Sequence, residues 1–310
     1  MSHTRKFRPG DLVEVKMPLE VLATLDRDGT LDGLPFMPEM INYTGKRFRV
    51  CQRVLKTCIS IKNSTNMRVL KSDDVVTLQG LRCSGTGHDG CQKGCMIFWR
   101  EAWLRAAEGV VQQPAAELMG KDRLRARLKT STEPQIYFCQ ASELLRYTNR
   151  MPRLARLLTC VKDVRAGNCS ALEMCRRIGT WLFWRIRKMI AGEYAAGTNA
   201  RTPTEPLELS SGDMIEVKAL DEIVRTTNRQ AQNRGLYFSP DMAALCGQKA
   251  HVTARLDKII VDGTGEMREL QNTVYLEKSM CGCSHVALGG CSRGEFAYWR
   301  EAWLRRQEKA

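Results

Sequence analysis

The chain is poor in histidine and short of acid: only four histidines occur in 310 residues, and 34 Asp and Glu face 48 Lys and Arg. No apolar run approaches the roughly 18 residues that span a bilayer. The opening Met-Ser-His-Thr-Arg-Lys-Phe-Arg-Pro-Gly carries charge with no apolar segment behind it, unlike a secretory signal. These absences make the cytoplasm the expected compartment and a transmembrane segment an excluded one. Neither a P-loop nor an H-E-x-x-H string occurs, and there is no paired C-x2-C knuckle of a regular zinc ribbon.

What the chain has instead is 13 cysteines. An odd number in a reducing compartment disfavours a disulfide framework, so the thiols read as metal ligands, nucleophiles or small buried hydrophobes. The net charge of +14 suits anionic partners such as nucleic acid, a phosphorylated ligand or an anionic membrane surface, or serves solubility alone.

The sequence says nearly the same thing twice. Residues 99–104 read Trp-Arg-Glu-Ala-Trp-Leu, and residues 299–304 repeat them letter for letter. Gly10-Asp11-Leu12-Val13-Glu14-Val15-Lys16 has its counterpart in Gly212-Asp213-Met214-Ile215-Glu216-Val217-Lys218. A period of about 200 residues is domain duplication, since solenoid repeats recur every ~20–50 residues. The expected organisation is a first copy over 1–105, a helical connecting segment over 106–208 and a second copy over 209–310. Within the first copy, Leu12 to Lys16, Phe48 to Val54 and Asp74 to Leu78 alternate as half-buried strands do, and Pro18 to Leu25 reads as a short helix. In the connecting segment, Met151 to Leu158 and Ser170 to Ile190 look helical, split at Ala166-Gly167-Asn168. The fold class predicted is mainly β with an α linker. Gly-Asp-x-Val-x-Val, a long loop and Gly-Lys-Arg-Phe-Arg-Val resemble the SH3-like barrels of the nitrile hydratase beta subunit, which implies two tandem small barrels of that kind.

Each copy carries a glycine-rich cysteine cluster. The first is Cys83-x7-Cys91-x3-Cys95 with His88 inside it, and the second is Cys281-x-Cys283-x7-Cys291 with His285 inside it. At an offset of 200, Cys83 faces Cys283 and Cys91 faces Cys291. Thiolate and imidazole gathered on one loop match the tetrahedral N/S preference of zinc. Cys58 and His88 compete to complete the first site. The second draws on Cys246, Cys281, Cys283 and Cys291, or uses His285. An iron–sulfur cluster is the alternative cofactor, because it too accepts irregular cysteine spacings. A nucleophilic Cys91 paired with His88 is the other chemistry this loop could support. Cys160, Cys169 and Cys175 match no ligand pattern and read as buried thiols.

The repeated Trp-Arg-Glu-Ala-Trp-Leu reads as core closure rather than a base-stacking platform. Residues 176–190, with their aromatics and five Arg or Lys, read as a helix docked between the copies with its arginines in water. The alternatives are contact with an anionic membrane surface or a partner groove.

The run from Thr24 to Met40 (Thr-Leu-Asp-Arg-Asp-Gly-Thr-Leu-Asp-Gly-Leu-Pro-Phe-Met-Pro-Glu-Met), Gly90-Cys91-Gln92-x-Gly94-Cys95 and Trp299-Arg300-Glu301-x-Trp303-Leu304 resemble an uncharacterised bacterial two-copy, cysteine-rich family often encoded within biosynthetic gene clusters. The resemblance implies a role beside a biosynthetic pathway and no particular activity. That family usually has Cys where this chain has Thr44, which argues against an essential ligand there. The expected function is a metal-binding tandem-barrel protein acting as a binding or accessory module, with zinc ahead of iron–sulfur. A metalloenzyme or redox protein and a nucleic-acid binder are the alternatives.

Overall fold

A computed structural model describes residues 7–61, 64–107, 117–281, 283 and 287–307. His285 lies outside them. The chain is mainly β with helices and divides into two compact units. One runs up to Met174 and includes Ile260–Met267; the other holds Cys175–Ile259 and the chain from Arg268 onward. The segment between the two sequence copies is thus shared out. Leu124, Cys139, Ala141, Leu144 and Tyr147 enter the core of the first unit, whereas Ala195 enters that of the second and Tyr194 and Leu207 pack against it.

The first unit is built on a five-stranded antiparallel sheet in the order Met96–Arg100, Val75–Arg82, Arg47–Arg53, Leu12–Val15, Leu104–Ala106. Alternation decides which side chains enter the core: Val13 and Val15 are fully buried while Leu12 between strand and solvent is exposed. The second unit repeats this order with Trp299–Arg300, Thr273–Leu276, Lys249–Arg255, Met214–Val217 and Leu304–Arg306. Even the irregularity recurs, since pairing shifts between Val50 and Gln52 in one unit and between Val252 and Ala254 in the other. Such a bulge sharpens local twist, and its recurrence marks it as part of the design. Between Gly33 and Met40, expected as an apolar loop, Leu34–Pro35 pairs with Thr30–Leu31 and Pro38–Tyr43 forms a 3-10 helix.

The repeated hexapeptide explains itself in packing. In the first unit Phe36 meets Trp99 and Trp103 edge-on, at 6.1 and 5.1 Å between ring centres; in the second Phe238 meets Trp299 and Trp303 at 6.1 and 5.2 Å. Edge-to-face contact is the favoured aromatic geometry. Trp103 Nε1 donates to Thr24 Oγ1 and Trp303 Nε1 to Thr226 Oγ1, both at 3.1 Å. The glutamate between the tryptophans is a buried anchor. Glu101 Oε1 accepts from Phe7 N at 2.9 Å and Arg53 Nη1 at 2.5 Å. Glu301, 0 % exposed, accepts from the backbone of Leu207, Glu208 and Leu209 and from Arg255 Nη1 at 3.0 Å.

Outside the sheets, the Arg153–Arg165 helix is fixed by a buried Lys56–Asp163 ion pair at 2.9 Å. A break at Gly167, with φ +79°, separates it from the 21-residue Ala171–Ala191 helix. Ser170 Oγ accepts from Glu173 N at the start of that helix, as an N-cap should. From Cys175 onward this helix belongs to the second unit. Its inner face is held there by Trp184 against Tyr194, at 5.0 Å and 80°. The outer face is apolar and open: Leu182, Phe183, Ile186, Met189 and Ile190 are all exposed. The arginines Arg185 and Arg187 lie over the Trp181 and Trp184 rings. Arg176, Arg185 and Lys188 are exposed, as expected from the sequence, and the apolar side chains of this face are exposed beside them. No helix among the described residues is long and apolar enough to cross a membrane.

Removing the fully buried Glu301 leaves the amides of Leu207, Glu208 and Leu209 without their acceptor and takes one partner from Arg255, which keeps Leu209 O and Asp257. Glu301→Ala is expected to cost about 3–5 kcal/mol, read as a drop in the chemical-denaturation free energy of the full chain. An effect under about 1 kcal/mol would show that this carboxylate is not the anchor.

Candidate metal centre

The Val75–Arg82 strand delivers the chain to the first cysteine loop, and the Met96–Arg100 strand takes it back. The neck of the loop is closed by Cys83 N donating to Cys95 O at 2.8 Å. Inside it, His88 N and Gly90 N both donate to Gly85 O, and Cys91 N donates to His88 O. This tight winding depends on Gly85. Its φ is +71°, and a Cβ there would stand 1.9 Å from the Cys91 carbonyl oxygen. Glu39, on the 3-10 helix, holds the loop from the side: its Oε2 accepts from Ser84 N at 2.8 Å and Ser84 Oγ at 2.9 Å.

The result is a cavity of about 20 Å³, lined by Cys83, His88, Cys91, Cys95 and Cys139 together with Lys93, Gln140 and apolar neighbours. Such a volume admits one water-sized occupant. His88 is 1 % exposed. Its Nε2 stands 3.0 Å from Phe138 O. A carbonyl only accepts, so Nε2 carries the proton and Nδ1 keeps its lone pair. Burial holds the ring below the ordinary histidine range, keeping it neutral. Nδ1 is buried and has no hydrogen-bond partner. A ring with one nitrogen fixed by a backbone carbonyl and the other bare is the arrangement of a metal-ligating histidine.

The sulfurs carry a matching signature. Ile260 N donates to Cys91 Sγ at 3.2 Å. Backbone amides of Ala141 and Ser142 face the Cys139 sulfur, and that of Gly85 faces Cys83. N–H groups aimed at sulfur stabilise thiolate and tune thiolate-bound metals. Burial nonetheless pushes the Cys83 thiol well above its usual range, with the Glu39 charge and Cys95 adding to it; burial does the same to Cys139. Only a cation inside the cavity would reverse that balance. Lys93, buried at the wall, is tied to Asp262 Oδ1 at 2.5 Å. Among the described residues of this unit no three ligand atoms lie within 4.8 Å of one another, so four of them would reach a single ion only with the loop drawn inward.

The sequence expected Cys83, His88, Cys91 and Cys95 in one place, and the structure brings them together around this cavity. Cys58 sits elsewhere in the unit, mid-strand opposite Met67, and does not line it. Cys139 does. Its distance along the chain from the loop hid it, and no spacing signal could have found it; Glu39 and Lys93 were equally silent.

In the second unit Cys281 N donates to Glu295 O at 2.8 Å, the bond that Cys83 and Cys95 make in the first. Cys281, not Cys283, therefore occupies the Cys83 position, and the longer loop carries the extra residues. Cys281 Sγ and Cys283 Sγ stand 3.1 Å apart, and the Cys283 and Cys291 sulfurs lie within 4.8 Å of each other. Glu295 pairs with Arg293 at 2.7 Å. Cys246 caps the Pro240–Leu245 3-10 helix and packs on the second core, where burial raises its thiol. Cys160 is buried, Cys169 half-buried and Cys175 exposed, so the expectation of three buried thiols holds for the first alone.

Two glycine strings carry the letters of familiar motifs without their setting. Gly85-Thr86-Gly87-His88-Asp89-Gly90 follows a strand but opens no helix, so it offers no helix N-terminus to a pyrophosphate. Gly290-Cys291-Ser292-Arg293-Gly294 lies in a turn, not between strand and helix as a nucleophile elbow does. Comparison with family models, curated proteins and solved structures finds no match.

Gly85→Ala is expected to unwind the loop at a cost of at least about 2 kcal/mol, from a left-handed residue and a backbone clash together. Faster reaction of Cys91 and Cys139 with a thiol reagent is the readout. Unchanged kinetics would mean that Gly85 does not set the loop.

Proposed function

We propose that the first unit binds one soft divalent ion, zinc, through His88 Nδ1 and sulfurs drawn from Cys83, Cys91, Cys95 and Cys139, and that the chain is a metal-stabilised binding or accessory module. The observation that carries this is the buried, unpartnered Nδ1 of His88 beside four thiols. The single-ion size of the cavity favours zinc over an iron–sulfur cluster. Zinc at thiolate and imidazole contributes directly to folding. In this reading the two five-stranded sheets are SH3-like barrels, supported by their shared strand order, bulge and tryptophan cores. A place beside a biosynthetic pathway is proposed from the family resemblance alone. We extend this reading to a second zinc site on Cys281, Cys283 and Cys291 in the other unit, supported by the closeness of Cys283 to each of the other two sulfurs.

The test is elemental analysis with a visible spectrum on the full chain purified without oxygen. Colourless protein with zinc is expected. His88→Ala and Cys139→Ser should each lose the equivalent bound by the first unit and melt earlier, while the exposed Cys175→Ser keeps both metal and stability. Zinc retained in full by His88→Ala and Cys139→Ser would sink the assignment. Iron with sulfide and absorbance near ~400 nm would replace it with a cluster.

A further inference from the structure

The two units treat one buried arginine differently. In the first, Arg100 is 1 % exposed and its charge is met by two carboxylates: Asp74 Oδ1 at 2.6 Å and Asp32 Oδ2 at 3.5 Å. Its counterpart in the repeated hexapeptide is Arg300, 7 % exposed. Both acids are gone there. Arg234 stands in the position of Asp32, each being the left-handed residue before the glycine of a two-stranded turn, at φ +47° and +48°. Asn272 stands in the position of Asp74, since its carbonyl accepts from Glu301 N as that of Asp74 does from Glu101 N.

Arg300 is left with neutral acceptors alone. Nε donates to Asn233 O, Nη1 to Gln271 O and Thr273 Oγ1, and Nη2 to Arg234 O. One Nη2 hydrogen remains. No carboxylate among the described residues pairs with Arg300 or Arg234, and Glu205, beside Thr204 in sequence, is taken by Lys218 at 2.6 Å. The exposed Arg234 side chain reaches Thr204 Oγ1 at 2.7 Å and Gln271 Oε1 at 3.2 Å. Burial and the Arg234 charge bring the Arg300 guanidinium down to about 10. A desolvated cation without a counter-ion is costly to keep. An arginine at a left-handed turn position, where Asp or Asn is easier, adds to that cost. The first unit shows what such an arginine takes as a partner: a planar oxyanion on its outer side.

We propose that the Arg300–Arg234 pair, with the Thr204 hydroxyl and Gln271 amide, is a binding site for a small oxyanion of the phosphate class, occupying the place that Asp32 and Asp74 fill in the first unit. Two guanidinium groups converging on one anion are the usual means of holding phosphate. The inference does not depend on the metal reading, because none of its residues lines the cysteine loops.

Isothermal titration of the full chain with inorganic phosphate, at fixed ionic strength in chloride, tests it. Saturable binding near one equivalent is expected, with a rise in melting temperature that follows it. Arg234→Asp restores the carboxylate of the first unit, so it should weaken phosphate binding at least about tenfold and melt higher than the parent without phosphate. Arg234→Ala should weaken binding without that gain, which separates loss of the site from general misfolding. No saturable heat, or an Arg234→Asp chain that binds phosphate as the parent does, overturns the proposal. A response to a single-stranded oligonucleotide with none to inorganic phosphate overturns the small-anion assignment.

Discussion

A carboxylate placed between two tryptophans organises each unit. Glu101 and Glu301 are buried carboxyl groups, and a buried polar group is tolerated only when it is hydrogen-bonded. Each therefore fixes whatever supplies the donors. Glu101 clamps the incoming chain at Phe7 to the end of the Arg47–Arg53 strand; Glu301 clamps Leu207, Glu208 and Leu209 to the end of the Lys249–Arg255 strand. The neighbouring tryptophans then have a fixed rim against which Phe36 and Phe238 pack. One short string thus sets the entry of the chain, the closing strand and the aromatic core together, which is why both copies keep all six letters.

Much of this architecture was legible in the sequence because it is local. Alternation placed the Leu12–Val15 and Arg47–Arg53 strands, and Pro18 marked the first helical turn of its helix. The copies, set against each other, showed which residues are structural. What could not be read was where the connecting segment goes. Its composition is ordinary, and only burial of Leu124, Leu144 and Tyr147 against the first core, and of Ala195 with Tyr194 and Leu207 against the second, decides the division. The short pairing of Leu34–Pro35 was hidden by two prolines that read as loop.

The site divides in the same way. Cys83, His88, Cys91 and Cys95 were visible because they crowd one loop. Cys139 arrives from a segment with no counterpart in the other copy, and Lys93 matters only through Asp262, far along the chain. The register of the second loop was misjudged for a physical reason: an offset measured at the tryptophans does not hold before the loop's extra residues, and only the Cys281–Glu295 backbone bond locates the shift.

The outward stripe of the long helix has an energetic meaning. Met189 and Ile190 forgo most, and Leu182, Phe183 and Ile186 about half, of the roughly 1.5–3 kcal/mol that full burial of each would supply. The inner face, pinned by Trp184 on Tyr194, prevents the helix from rolling over to hide them. The folded chain consequently holds apolar surface in water along one face of a rigid rod, as it does at Leu154, Leu157, Leu158 and Val161 on the Arg153–Arg165 helix.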